Sequence, residues 1–190
     1  MTRIIGGVAG SRQLTSPAKS TRPTSDRIRE AVFNRLEARE LISNASVLDL
    51  YAGTGALALE AMSRGAVKAM LVEKDGKAAA VCIKNSQLIT KALEKEGRGG
   101  FSIRVAHKAV NAFLSADDQL FDLVFIDPPY EVTNQEVLSN LQALEPKLSA
   151  NAVIILERSS RSAKPELPTT IQLDDEKSYG DTTIYWLSKN

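Results

Sequence analysis

The sequence has one cysteine, Cys82, and one histidine, His107, among 190 residues. A lone thiol cannot close an intramolecular disulfide, and zinc centres built on several thiolates or imidazoles are excluded. Long apolar runs are missing too. The longest aliphatic stretch, Val153 to Leu156, is far short of the ~20 residues a membrane helix needs. Met1 to Arg12 has basic ends but no apolar segment of signal-peptide length. Net charge is nearly absent: 24 Lys and Arg against 23 Asp and Glu leave +1. What remains is ordinary for a globular protein, with 43% hydrophobic and 25% charged residues, so disorder and fibre formation are disfavoured. The length fits one domain at the usual ~100–200 residues each. The chain is expected to be soluble and cytoplasmic, with no membrane partner.

The small net charge conceals an asymmetry. Residues 1–29 hold six basic residues (Arg3, Arg12, Lys19, Arg22, Arg27, Arg29) against Asp26 alone, which makes them +5 and the remainder −4. A basic arm on a mildly acidic body suits a polyanion, although a solvated terminal segment would look the same. Arg3–Val8 and Arg12–Leu14 flank a glycine-containing turn and suggest a hairpin. Ser16–Thr24, with two prolines, reads as a loop. A helix should follow, capped by Thr24 or Ser25, with Asp26 at its positive end and Ile28, Val32, Phe33 and Leu36 on one face.

From residue 46 short apolar runs alternate with amphipathic stretches. Strands are expected at Val47–Tyr51, Ala69–Glu73, Phe101–Ala106, Phe121–Ile126 and Ala152–Glu157. Helices are expected at about 55–64, 75–90, 108–115 and 134–145, the last opening on a capping box of Thr133 and Glu136. This alternation predicts an α/β fold with a mostly parallel sheet. Thr169–Asp174 and Thr182–Leu187, separated by Lys177–Gly180, predict an antiparallel hairpin at the sheet edge.

Val47 to Ala58 reads as a strand, a Gly53-Thr54-Gly55 turn and a helix start. Glycine there permits close approach of a ligand to the backbone, and free amides at the helix start face the same crevice. Glu73 closes the next strand, twenty residues after Gly53, where a carboxylate can accept from both ribose hydroxyls. A glycine turn of this kind can serve a nicotinamide dinucleotide, S-adenosylmethionine, or simple strand–helix packing. Asp49 favours the second: it would repel a pyrophosphate but suits a sulfonium and an ammonium.

Phe121–Ile126 ends in Asp127-Pro128-Pro129-Tyr130. The turn follows the fourth strand, which lies beside the first at the switch point of such sheets, so Asp127 should share the crevice with Gly53. An exocyclic amine on a nucleobase is a poor nucleophile, because its lone pair is delocalised into the ring. Asp127 and the Pro128 carbonyl can each accept one of its N–H groups and stabilise the charge that develops during attack on a methyl group. Pro129 stiffens the turn, and Tyr130 offers a flat face for an extruded base. Neither metal nor covalent intermediate is required.

These residues are specific enough for a resemblance. Arg3-Ile4-Ile5-Gly6-Gly7, Thr21 through Glu30, Leu48 through Ala56, Val72-Glu73-Lys74-Asp75, Asp127 through Tyr130 and Tyr179 through Thr182 together resemble the bacterial 16S ribosomal RNA guanine-N2 methyltransferases over nearly the whole chain. The Arg22-to-Arg27 run is the most family-specific part. The resemblance implies a Rossmann-like class I methyltransferase with a seven-stranded, mostly parallel sheet, an antiparallel C-terminal hairpin and a small N-terminal hairpin and helix extension. It implies 16S rRNA as substrate, within a small-subunit or assembly particle, and a monomeric enzyme. Residues 1–24 would be the RNA-contacting arm, through Arg3, Arg12 and Arg22 with Arg27 beside them, and residues 25–190 the catalytic domain. Asp127, Pro128, Pro129 and Tyr130 would meet the target base. S-adenosylmethionine would be held by Asp49, Tyr51, Gly53, Thr54, Gly55, Glu73, Lys74, Ala109, Val110 and Asp127. Ala109 is a departure, since the family usually has Asp or Asn there for the adenine amine. That contact would pass to backbone groups near Ala109 and Val110, or to His107 or Lys108.

Three other readings compete. N6 methylation of adenine shares the amine chemistry. A nicotinamide oxidoreductase is opposed by Asp49, and a catalytically silent RNA-binding assembly factor by the intact Asp127–Tyr130 turn. Cys82 and Trp186 (the latter in an edge strand) are expected to pack, and His107 to lie on the surface.

Overall fold

The computed structural model describes residues 2–16, 25–116 and 118–190. Thr24, Arg22 and most of the expected proline-containing loop lie outside the described residues. Seven strands form one sheet: β1 (Ser46–Leu50), β2 (Lys68–Glu73), β3 (Ser102–His107), β4 (Phe121–Ile126), β5 (Leu148–Ser159), β6 (Ile171–Tyr179) and β7 (Thr182–Lys189). Their order is β3-β2-β1-β4-β5-β7-β6. The first five run parallel, and β7 is antiparallel to both β5 and β6.

Helices cover both faces, as βαβ crossovers require. On one face α1 (Asp26–Ala38), α2 (Ala56–Ser63) and α3 (Gly76–Lys95) pack on Val47, Leu71, Leu123, Phe125 and Ile155. On the other, α4 (Val110–Leu114) and α5 (Asn134–Leu144) pack on Leu48, Leu50, Val124, Ile126 and Leu156. Strand residues alternate between the two layers, which explains why central strands read as unbroken apolar runs. Helix α1 is fixed to the sheet by Phe33, whose ring lies 5.5 Å from that of Phe125. Ser25 is its cap, accepting from the Ile28 amide, and Thr133 caps α5 by accepting from the Glu136 amide.

Three expectations need correction. The N-terminal hairpin is a loop closed by one antiparallel bridge, Arg3 to Gln13. Part of its backbone is paired across the loop, the Ile4, Ser11 and Leu14 amides donating to the Arg12, Ile4 and Thr2 carbonyls. The rest is satisfied from elsewhere: the buried Glu60 carboxylate accepts from the Ile5 and Gly6 amides, at 2.6 and 2.8 Å. Ser63 Oγ accepts from the Ala9 amide at 2.9 Å and donates to the Gly6 carbonyl at 2.6 Å. Residues 2–16 are thus a strap sewn to the helices. Secondly, Lys177–Tyr179 does not separate the last two strands but belongs to β6, and the turn is Gly180-Asp181, with Gly180 at φ 61°. Thirdly, Trp186 lies in β7, which is flanked on both sides, while β6 is the edge. The Trp186 ring is buried, with the Arg35 guanidinium 4.2 Å from its centre. Cys82 is fully buried, as expected.

Candidate active site

Strand order reverses between β1 and β4, so the loops leaving their C-terminal ends open a crevice there. Leu50 pairs with Ile126, which brings the glycine turn and the Asp127–Tyr130 turn to one mouth.

The two glycines of the first turn do different work. A side chain at Gly53 (φ 56°) would point into open space, with nothing within 4 Å of its first carbon. At Gly55 (φ 81°) that carbon would come within 2.7 Å of Leu71 Cδ2 and 3.1 Å of the Cys82 sulfur. Gly55 therefore lets α2 start tight against the core, and Gly53 leaves the crevice clear for a ligand. Between them Thr54 gives its carbonyl to Asn85 Nδ2 at 2.9 Å.

Two carboxylates shape the floor. Glu73 Oε2 accepts from the Gly53 amide at 2.9 Å, and Oε1 accepts from the Asp75 amide at 2.8 Å. A carboxylate offers about four lone-pair positions, so two remain for ligand hydroxyls. Asp49 is 1% exposed, and its Oδ2 accepts from the Ala58 amide at 3.1 Å in the first turn of α2. Burial pushes its pKa up to about 8; the Ala58 bond opposes the rise, while the nearby Asp127 and Glu73 add to it. Three acids around one crevice call for a positive ligand, and a cation there would draw the proton from Asp49. This donor set, with the cleared space at Gly53, fits S-adenosylmethionine.

Tyr51 is placed differently from its neighbours. Its φ of 65° puts a bulky residue in the left-handed region, at a strand end beside the crevice. The ring turns toward α5, where its hydroxyl accepts from Asn140 Nδ2 at 2.7 Å and donates to Glu136 Oε1 at 3.4 Å. Burial is the main cause that pushes its pKa up to about 12. Lys74 is exposed, its carbonyl 3.2 Å from His107 Nε2. His107 ends β3, beside Glu73 of β2. Ala109 caps α4 through its backbone, with Val110 buried behind it.

On the other lip, Asp127 is half-buried, Pro128 buried and Pro129 exposed, and Tyr130 is 68% exposed. The turn is closed by the Val132 amide donating to the Pro129 carbonyl at 3.0 Å. Arg158, from β5, donates to the Val132 carbonyl at 2.9 Å and to Asn134 Oδ1 at 3.1 Å, which ties this lip to the sheet. Arg158, Asn140 and Asn85 were not singled out in the sequence. Their one signal is a polar residue where the helix or strand period places an apolar one.

Of the basic residues assigned to RNA, Arg3 and Arg27 are exposed, Arg12 is half-exposed, and Arg22 lies outside the described residues. Arg3 Nε stands 3.6 Å from Asp26 Oδ2, and Arg12 Nη1 donates to the Val8 carbonyl at 3.2 Å. No helix among the described residues is long and apolar enough to cross a membrane.

Comparison with known proteins gives the same picture. The family model described as conserved hypothetical protein 95 matches residues 2–188. Ribosomal RNA small subunit methyltransferase D of Escherichia coli strain K12 is 36% identical over 179 residues, 94% of this chain and 85% of that one. The solved structure of the Escherichia coli protein yhhF superposes with a TM-score of 0.82 at 32% identity, over 100% of this chain and 98% of that one. Magnesium protoporphyrin IX methyltransferase from Synechocystis, solved with bound S-adenosylmethionine, has a TM-score of 0.63 at 14% identity, over 86% of this chain and 79% of that one. At that identity the likeness is one of fold alone. Close relatives, fold and crevice agree: this chain belongs to the family of S-adenosylmethionine-dependent small-subunit ribosomal RNA methyltransferases.

Proposed function

We propose that the enzyme methylates the exocyclic N2 amine of one guanine in 16S rRNA, acting in the cytoplasm as a monomer on a small-subunit particle. The observation that carries this reading is the Asp127–Tyr130 turn, held at the mouth of an acidic cofactor crevice with Tyr130 open to solvent. When bound, S-adenosylmethionine supplies an electrophilic methyl group on a sulfonium. Gly53 leaves room for it, Glu73 accepts from its ribose hydroxyls, and Asp49 with the other two acids favours its positive charge. Backbone groups at Ala109 and Val110 bound the pocket beyond β3, with Lys74 at its rim.

Tyr130 stacks on the extruded guanine. The Asp127 carboxylate would accept one N2–H and the Pro128 carbonyl the other, holding the amine pyramidal and oriented for attack on a methyl group. Bound S-adenosylmethionine would supply that methyl group and keep the electron pair of the C–S bond given up, and Asp127 would take the proton that the nitrogen loses. Arg3, Arg12, Arg22 and Arg27 give the 1–24 arm and the start of the 25–190 domain their affinity for RNA phosphates.

The test is to incubate unmethylated small subunits and naked 16S RNA with labelled methyl donor and identify the modified nucleoside. N2-methylguanosine is expected, and N6-methyladenosine would overturn the target. Asp127→Ala should abolish transfer while leaving cofactor binding largely intact. Undiminished transfer would remove Asp127 from the mechanism.

A further inference from the structure

One side chain joins the N-terminal strap to the cofactor loop. Asn85, on α3 and 1% exposed, accepts through Oδ1 from the Thr15 amide at 2.9 Å. Its Nδ2 donates to the Thr15 carbonyl at 3.0 Å and to the Thr54 carbonyl at 2.9 Å. The amide thus matches both backbone groups of Thr15, as a paired strand would, and spends its last proton on the turn between Gly53 and Gly55. Only an amide side chain offers this set of two donors and one acceptor in one plane; aspartate lacks the donors, and leucine lacks all three. The bonds span 70 residues on the strap side and 31 on the loop side. Thr15 lies where the strap leads into residues 17–24 and the run Arg22–Arg27.

The rest of the strap is held by α1 and α2, not by the loop. Arg29 donates to the Arg3 carbonyl at 2.5 Å, and Glu60 and Ser63 hold residues 5–9. Through a side-chain hydrogen bond, only Asn85 among these reaches the cofactor turn as well. We propose that Asn85 is a positioning residue that couples the two, so that cofactor binding orders the strap and RNA binding tightens the cofactor loop. The RNA half of this proposal rests on the arm reading given above; the coupling of strap to loop does not. A ligand that fixes the Thr54 carbonyl fixes the far end of the Asn85 amide, and by linkage the effect is equal in both directions.

Hydrogen exchange on the full chain, with and without S-adenosylhomocysteine, reads the coupling directly. In the wild type the ligand should slow exchange both in residues 53–58 and in the strap. In Asn85→Ala it should slow only residues 53–58. Thr15→Pro is a second variant, removing the Thr15 donor while leaving the Asn85 bonds to the Thr15 and Thr54 carbonyls, and it should weaken the strap response. An equal strap response in wild type and both variants, or none in wild type, overturns the proposal. For the RNA half, S-adenosylhomocysteine should raise wild-type affinity for substrate RNA on the order of 5-fold or more and change it little in either variant. If the exchange response is as expected but RNA affinity ignores both ligand and strap charge, the coupling stands and the arm reading fails. Retained RNA coupling in both variants counts against Asn85.

Discussion

The C-terminal hairpin and the N-terminal strap are both additions to the parallel sheet, and they are attached by different means. The hairpin joins through a backbone ladder. Strand β7 pairs with β5 over Val153–Ser159 and with β6 over Ile171–Tyr179, and it buries Ile184, Tyr185, Trp186 and Leu187. The strap has a single bridge of its own; it buries Ile4, Ala9 and Leu14, and buried polar side chains of α1, α2 and α3 hold its backbone. A continuous ladder opens only when the sheet does. The strap has no such ladder to the sheet, so it should open locally at lower cost than the hairpin.

The largest expected effect tests whether both additions rest on one cooperative base. Asp49 keeps its proton up to about pH 8 in the folded apo protein and only to about 4 when unfolded. The native state then binds more protons across that window, so its stability falls as pH rises from about 4 to about 8 and levels off above. The slope approaches ~1.4 kcal/mol per pH unit for a full proton difference. Denaturant unfolding at several pH values should show the Asn variant at position 49 losing this component, with strap and hairpin melting together. An identical pH profile for Asp49→Asn would remove Asp49 as its source.

Next, Leu187→Ala empties a fully buried site in β7 and should cost about 2–5 kcal/mol of global stability. Glu60→Gln weakens the tether at the Ile5 and Gly6 amides together with the buried ion pair to Arg64, at a cost of about 1–3 kcal/mol. Limited proteolysis should then cut within residues 2–14 much faster while the β6–β7 turn stays protected. Faster cleavage at both places would break the contrast. The smallest effect is at Gly180, whose φ of 61° makes Gly180→Ala cost about 1 kcal/mol, measurable as a lowered Tm without change in strap cleavage.

The same contrast explains what could be read from the residues alone. The parallel strands, their helices and the hairpin follow from apolar periodicity, and the glycine turn and Asp127 turn were legible because they punctuate it. Their meeting in one crevice followed from topology: β1 and β4 are neighbours. The strap's two arms pair over a short stretch only, and its other partners are Glu60, Ser63 and Asn85, 54 to 70 residues away. A hydrogen bond from a side chain to a distant backbone amide leaves no periodic trace. Glu60 beside Leu59 and Ala61, and Asn85 three residues after Cys82, were its only marks. Tyr51 was placed near the cofactor by position, but the reversal of its φ sends the ring across to α5, which no pattern in the strand announces.

Among the described residues, strand β6 has β7 as its one neighbour in the sheet, so the far side of its nine residues is an open edge. An open edge is a template on which a second chain could pair. Asp174, Asp175, Glu176 and Lys177, all exposed, put charge along that edge, and charge of this kind keeps a finished sheet from growing by one more strand.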